Sequence, residues 1–310
     1  MIGRVEIATA QARIAPHIRR TPVLRLETGA LGVDGGLTLK LEHLQVTGSF
    51  KVRGAFTSLT GVTLPAAGVV AISGGNHGAA VAYAATQLGA KATVFVPGQI
   101  ADKVKIARME GFGATVIIAP GTVDDAVRAY AAFAEETGAL AVHPYDAPGT
   151  ITGQGTAAME FEEDAPDLDT VLVAVGGGGL IGGVAAWYGG RTKVVAVETE
   201  GTACLDLTLK GTLPANFRAT GLSASGLGAS SIGVLPMEII RAHVAENVVV
   251  SDADVIEAQR RLWAAARVVA EPGGVTALAA LTSGAYTPAP DEKVGVVVCG
   301  GNAAPDWFLA

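Results

Sequence analysis

Four short stretches of this chain carry residue types that do chemistry. The first is Thr47-Gly48-Ser49-Phe50-Lys51-Val52-Arg53-Gly54-Ala55. It opens an apolar segment through Ala55, Phe56 and Leu59 that reads as a helix start, with Ser49 as N-cap and Lys51 in the first turn. A lysine there faces the positive end of the helix dipole, which disfavours its ammonium form. A neutral amine is a nucleophile, the condition for Schiff-base chemistry. The plain alternative is a solvated surface lysine.

The second stretch is Gly176-Gly177-Gly178-Gly179, between the apolar run Val171 to Val175 and a helical run from Leu180. Backbone N–H groups and a helix dipole converge there without Cβ atoms in the way, which makes a phosphate cradle. Close packing of strand on helix accounts for one or two glycines, not four in a row. Gly177, Gly179 and Gly182 also fit G-x-G-x-x-G, with Glu198 about twenty residues further on, so a dinucleotide oxidoreductase is a rival reading. The third stretch, Ser73-Gly74-Gly75-Asn76-His77, offers another ring of N–H groups suited to a carboxylate; its alternative is an ordinary capped turn with His77 buried and satisfied by backbone. The fourth is Cys299-Gly300-Gly301-Asn302, at the carboxyl end of an apolar strand, where open α/β sheets meet their ligands. A lone Cys299 is otherwise an inert small core residue.

The elements that must position these residues alternate. A helix over Val5 to Ile14 ends at Pro16, and an extended entry follows at Thr21-Pro22-Val23-Leu24. Beyond the Lys51 helix, strands at 69–72, 92–96 and 115–118 alternate with helices at 78–88, 101–109 and 123–137, and this block ends near Val142-His143-Pro144. A second block has a helix through Gly153-Gln154-Gly155 to Phe161, strands at 171–175 and 194–198, helices at 180–188 and 252–269, another from Pro272, and a last strand at 294–298. Residues 201–235 read as loops with one short helix. Continuous apolar strands separated by helices imply parallel sheets covered on both faces, hence an α/β fold.

Composition narrows the class. With 310 residues, half of them apolar, the chain supports a large core in one or two lobes. Its charge of −7 is interspersed, without the basic stripe that nucleic acid requires. No run approaches a membrane span and no apolar signal core opens the chain, so a cytoplasmic protein is expected. Cys204 and Cys299 are the two cysteines; their separation suggests neither disulfide nor zinc site. The 41 glycines cluster at the ends of apolar runs, as turns that approach a ligand do.

Taken in order, the four stretches closely resemble the threonine/serine dehydratase branch of the fold-type II pyridoxal phosphate enzymes, from Thr21-Pro22 to Asn302. The resemblance implies two lobes with mostly parallel twisted sheets and the cofactor in the cleft: residues 1–52 with 146–310 as the larger, 53–145 as the smaller. It implies that Lys51 forms the Schiff base with pyridoxal 5′-phosphate and that Phe50 packs on a ring face. Asn76 bonds the ring 3′-oxygen, Gly176, Gly177, Gly178, Gly179 and Leu180 hold the phosphate, and Cys299 faces the pyridine nitrogen. Ser73, Gly74, Gly75, Asn76 and His77 bind the substrate carboxylate. The implied reaction is α,β-elimination from a β-hydroxy amino acid, L-serine or L-threonine, giving a 2-keto acid and ammonia. A homodimer is implied as well.

Departures from relatives refine this. Racemases of the group use a serine as second-face acid where this chain has Gly74, which cannot donate a proton. The acidic loop that helps bind a divalent ion in many relatives reads Ala224-Ser225-Gly226 here. Val197-Glu198-Thr199 with Ala203 looks more like the monovalent-cation loop of serine dehydratases, a resemblance that implies Glu198 and Ala203 as ligands of a cation such as K+. Biosynthetic threonine dehydratases carry an added regulatory domain, whereas this sequence stops after its last strand, so end-product inhibition is not expected. The loops 143–154 and 217–230 lack charged groups that would call for a second carboxylate, although Gly226, Gly228 and Ala229 leave room for a bulkier side chain.

Overall fold

A computed structural model describes residues 2–303. In chain order the elements are α1 (Arg4–Ile14), β1 (Val23–Leu26), β2 (Leu37–Lys40), α2 (Lys51–Thr60), β3 (Val69–Ile72), α3 (Asn76–Gln87), β4 (Ala92–Pro97), α4 (Lys103–Gly111), β5 (Ala114–Ala119), α5 (Val123–Thr137) and β6 (Leu140–Ala141). They continue with α6 (Pro148–Asp164), β7 (Thr170–Ala174), α7 (Gly179–Tyr188), β8 (Lys193–Thr199), α8 (Cys204–Leu209), α9 (Ala224–Leu227), α10 (Val234–His243), β9 (Glu246–Val250), α11 (Asp252–Ala266), α12 (Pro272–Thr282) and β10 (Val294–Val297).

Two sheets organise the core. The larger has six strands in the order β1-β2-β10-β7-β8-β9, parallel except for β1 against β2. The smaller has four, β5-β4-β3-β6, all parallel. The apolar runs that marked the central strands are those whose residues bury on both faces, as in β7, where all five are buried. Every motif found in the sequence beyond the Lys51 segment sits at the carboxyl end of a parallel strand: the Ser73 turn after β3, the glycine turn after β7 and Cys299 after β10.

The helices that carry the site are locked by close approach. A Cβ on Gly153 of α6 would lie 2.6 Å from the Gly54 Cα of α2, so these two backbones meet with no side chain between them. Across that contact α2 is anchored by charge. Arg53, fully buried, donates from Nε to Glu42 at 2.8 Å and from Nη1 to Glu160 of α6 at 2.9 Å, and buried Lys40 donates to Glu160 at 2.9 Å.

Between residues 201 and 235 the expectation of loops with one short helix falls short. Two short helices, α8 and α9, form there, and α10 and the edge strand β9 follow. The N-terminus of α10 is capped from a distance: the Asp146 carboxylate accepts from the N–H groups of Val234 and Leu235, both at 3.0 Å. Helix α11 stops at Ala266, short of Val269, because Arg267 turns left-handed with φ 55°. Helix α3 begins at Asn76, two residues early, which places Asn76 and His77 inside its first turn.

Candidate active site

The approach to Lys51 is fixed by an unusual turn. Thr47 and Gly48 are both left-handed, φ 63° and 73°. The Thr47 carbonyl accepts from Asn302 Nδ2 at 3.0 Å and Arg108 Nη2 at 3.1 Å, and Gly301 donates to the Gly48 carbonyl at 2.9 Å. Ser49 is not the N-cap expected of it. Its backbone pairs with Gly300, its hydroxyl is buried without a partner, and Phe50 takes the cap position with no side-chain bond. Lys51 is therefore the first helical residue, and its Nζ donates to the Pro144 carbonyl at 2.9 Å. Its pKa is lowered to about 8. The cause is burial of the amine rather than the dipole invoked from the sequence.

Lys51 lines a recess of about 340 Å³ together with Phe50, Tyr145, the turn Gly176 to Gly179 and Cys299. Packing alone disfavours a side chain at Gly177, Gly178 and Gly179 and crowds one at Gly176. Added Cβ atoms at Gly176, Gly177, Gly178 and Gly179 would lie 3.1, 2.3, 2.8 and 2.9 Å from Leu227, the Tyr145 ring, Pro236 and the Tyr145 Cα. Glycine count is thus no proof of a ligand, contrary to the reading that packing explains only one or two. What points to a ligand is the donors. Among the described residues the N–H groups of Gly177, Gly178, Gly179 and Leu180 have no hydrogen-bond acceptor, and the last two open the first turn of α7. Cys299 is buried, its Sγ donating to the Gly273 carbonyl at 3.4 Å, and burial pushes its thiol pKa well up, so the thiol is neutral. Among the described residues no carboxylate lines this recess.

The Ser73 turn behaves as a donor ring. Ser73 Oγ accepts from Gly75 N–H at 3.1 Å, and the first backbone bond into α3 is from Ala79 to Gly75, leaving the N–H groups of Asn76, His77 and Gly78 without partners in the preceding turn. Gly74 packs against Ile100, 2.9 Å from an added Cβ. The His77 imidazole takes no part: Nε2 bonds the Val142 carbonyl at 2.9 Å, and burial beside Lys51 lowers its pKa to about 3. Only its backbone is available.

Asn76 reveals a residue the sequence did not single out. Its Nδ2 donates to Glu271 Oε1 at 2.5 Å, and its Oδ1 accepts from Asn302 Nδ2 at 2.5 Å. The amide is thereby oriented, with one Nδ2 hydrogen left over. Glu271 is buried at the mouth of α12; burial raises its pKa, opposed by Asn76, Lys105 and Arg108. Tyr145, which underlies the glycine turn, was missed too, since a Tyr after His-Pro carries no pattern of its own.

Glu198 and Ala203 lie away from Lys51. The two Glu198 oxygens accept from the N–H groups of Leu205 (2.7 Å) and Asp206 (2.8 Å), and Asn247 donates at 3.3 Å. This carboxylate therefore closes the start of α8 and is not offered to a ribose, which removes a support of the oxidoreductase reading. Burial raises its pKa to about 7. Among the described residues no group of three or more His, Cys, Asp or Glu side chains is placed to hold a metal ion, and no helix is long and apolar enough to cross a membrane.

Comparison with known proteins identifies the family. The family model described as pyridoxal-phosphate dependent enzyme matches residues 14–300. The L-threonine ammonia-lyase of Thermotoga maritima is 35% identical over 307 residues, covering 97% of this chain and 76% of that protein. Among solved structures, the threonine deaminase of T.th. superposes with a TM-score of 0.90 at 36% identity, covering 97% of this chain and 99% of that one. A pyridoxal 5′-phosphate-dependent aspartate racemase superposes with a TM-score of 0.89 at 31% identity, covering 98% and 97%.

Proposed function

This chain belongs to the pyridoxal-phosphate dependent enzymes, and on that footing we propose that it is an ammonia-lyase that eliminates water from a β-hydroxy amino acid, L-serine or L-threonine, to release a 2-keto acid and ammonia. The names of the threonine ammonia-lyase and threonine deaminase relatives support the reaction. The observation that carries it is the lowered Lys51 amine in one recess with four unpaired backbone donors and a neutral thiol.

The residues present fit pyridoxal phosphate. The N–H groups of Gly177, Gly178, Gly179 and Leu180 suit a phosphate dianion, with Gly176 completing the turn. Lys51 is an amine poised for a carbonyl, Phe50 offers a ring face, Asn76 has a spare donor for a ring oxygen, and Cys299 is the thiol for a pyridine nitrogen. When bound, the cofactor supplies an electron sink for charge developing at Cα. The protein does the rest. The N–H groups of the Ser73–His77 turn hold the substrate carboxylate, and Lys51 Nζ, neutral in part near pH 8, removes the Cα proton. A neutral Cys299 is a weak donor, and facing a pyridine nitrogen it would leave that nitrogen unprotonated, which would favour elimination over transamination.

Racemisation is the second reading, favoured by the aspartate racemase relative. It needs an acid on the face opposite Lys51, and Gly74 has no side chain to supply one. In the same proposal residues 53–145 form the smaller lobe, 1–52 with 146–310 the larger, and the protein is a cytoplasmic homodimer. Glu198 and Ala203 would form a monovalent-cation loop, supported by a buried carboxylate that a cation would keep ionised. The test is a panel of amino acids assayed for keto acid and ammonia, in K+ and in tetramethylammonium buffer. Serine or threonine is expected to react, faster in K+, and Lys51→Ala to abolish both turnover and the borohydride-sensitive visible absorbance. A protein that stays colourless with added pyridoxal phosphate would end the proposal.

A further inference from the structure

The two loops flanking the substrate supply no basic cluster, and Arg218 of the second is paired with Asp124 at 3.1 Å. Helix α4 brings cations from elsewhere. Lys105 and Arg108, three residues apart and so on one face, line a second recess of about 310 Å³ with Gly75, Asn76, Ser225 and Glu271. Gly75 and Asn76 belong to the turn assigned to the substrate carboxylate. Ser225 precedes Gly226, which lines the Lys51 recess, so the two recesses share a wall.

The charges here are unequal. Arg108 donates to the Thr47 carbonyl, and neither it nor Lys105 forms an ion pair among the described residues. Asp102, at the exposed start of α4, accepts from the N–H groups of Val104 and Lys105 and lies within electrostatic reach of the Lys105 side chain. Among the described residues Glu271 is the one carboxylate lining the recess, and Asn76 already donates to it. Two half-buried cations thus face one engaged carboxylate, which leaves a net positive pocket beside the reacting centre.

The geometry points to a subsite for a second carboxylate: Arg108 and Lys105 receive the side-chain carboxylate of an acidic β-hydroxy amino acid whose α-carboxylate lies on the Ser73–His77 turn. This rests on the lyase reading and names its substrate class. With 3-hydroxyaspartate, the Cα proton and the β-hydroxyl leave as water, and water regained on hydrolysis yields a 2-keto dicarboxylic acid and ammonia. A guanidinium with free donors pairs strongly with carboxylate, and a site built for a polar group discriminates against substrates lacking it.

The holoenzyme is assayed with 3-hydroxyaspartate and with L-serine, and malonate serves as a non-reacting probe in calorimetric titration. The kcat/KM for 3-hydroxyaspartate is expected to exceed that for serine. In Arg108→Gln the ratio of the two falls roughly 10- to 100-fold, as loss of a hydrogen bond to a charged group predicts, and malonate binding weakens by a like factor. Arg108→Lys restores part of each. An unchanged ratio in Arg108→Gln, or serine turnover with neither 3-hydroxyaspartate turnover nor malonate binding, overturns the subsite while leaving the lyase intact. If no amino acid reacts, the lyase reading fails, and malonate decides alone: saturable heat lost in Arg108→Gln upholds the subsite, and absence of heat refutes it.

Discussion

The acidity of Lys51 is set by what surrounds it. An ordinary lysine titrates near 10.5, whereas burial brings this one to about 8. Between those values the native apoprotein binds fewer protons than the unfolded chain, so its stability rises with pH across that window; below about pH 8 it bears the full cost of a half-buried ammonium. Lys51→Met removes that cost. The cofactor-free variant is expected to gain roughly 1–2 kcal/mol at pH 7, discounted for the amine's partial exposure, with the gain shrinking toward pH 10.5. Urea unfolding at pH 7 and pH 10 checks this, and an equal gain at both would contradict it. The residue itself was legible in the sequence. The reason for its pKa was not, because burial of the amine under Pro144 depends on a loop ninety-three positions away.

At the scale of elements, Lys51 stays in place because α2 is tied to α6. Both carboxylates facing Arg53 are buried: Glu42 accepts at 2.8 Å, and Glu160 accepts at 2.7 Å from Nη2. Removing one partner of such a network strands the other charges. Arg53→Ala is expected to cost about 3–5 kcal/mol, and Arg53→Met, with Lys40→Met, Glu42→Gln and Glu160→Gln alongside so that the buried Lys40 is not stranded, to recover much of it. Denaturant midpoints with unchanged slopes report both; a loss under about 1 kcal/mol for Arg53→Ala, the range of an exposed pair, would show that water reaches the cluster. Arg53 stood in plain view within the first motif, yet its partners lie 11 and 107 residues away, a pairing no local pattern encodes. Local signals did serve where structure is local: the continuous apolar runs marked the central strands, and Ser251 with Asp254 forms the capping box that starts α11 at Asp252. They failed for α10, whose cap is the distant Asp146, and for the half-exposed edge strand β9.

Across the whole molecule the two sheets meet through hydrogen bonds to Asn76. That residue rides on α3 beside the four-stranded sheet, whereas Glu271 enters α12 and Asn302 follows β10 of the six-stranded one. Asn302 also holds the Thr47 carbonyl, so one short chain joins the Lys51 approach, the Ser73 turn and the strand end carrying Cys299. Order along the sequence made those three legible as a set. Glu271 was not, since Glu before Pro-Gly-Gly reads as an ordinary helix entry. Geometry shows an acceptor at 2.5 Å that orients the Asn76 amide and leaves one N–H free, the one the proposed function gives to the cofactor. Glu271→Ala frees that amide and is expected to weaken pyridoxal phosphate binding roughly 10- to 100-fold, the worth of a hydrogen bond to a charged acceptor. Glu271→Gln, which can still accept from Nδ2, should stay within about 3-fold of wild type, since it forfeits only the charge-assisted share of that bond. Titration of the apoprotein followed by visible absorbance measures both, and equal affinities for Glu271→Ala and wild type would mean that Asn302 alone orients the amide.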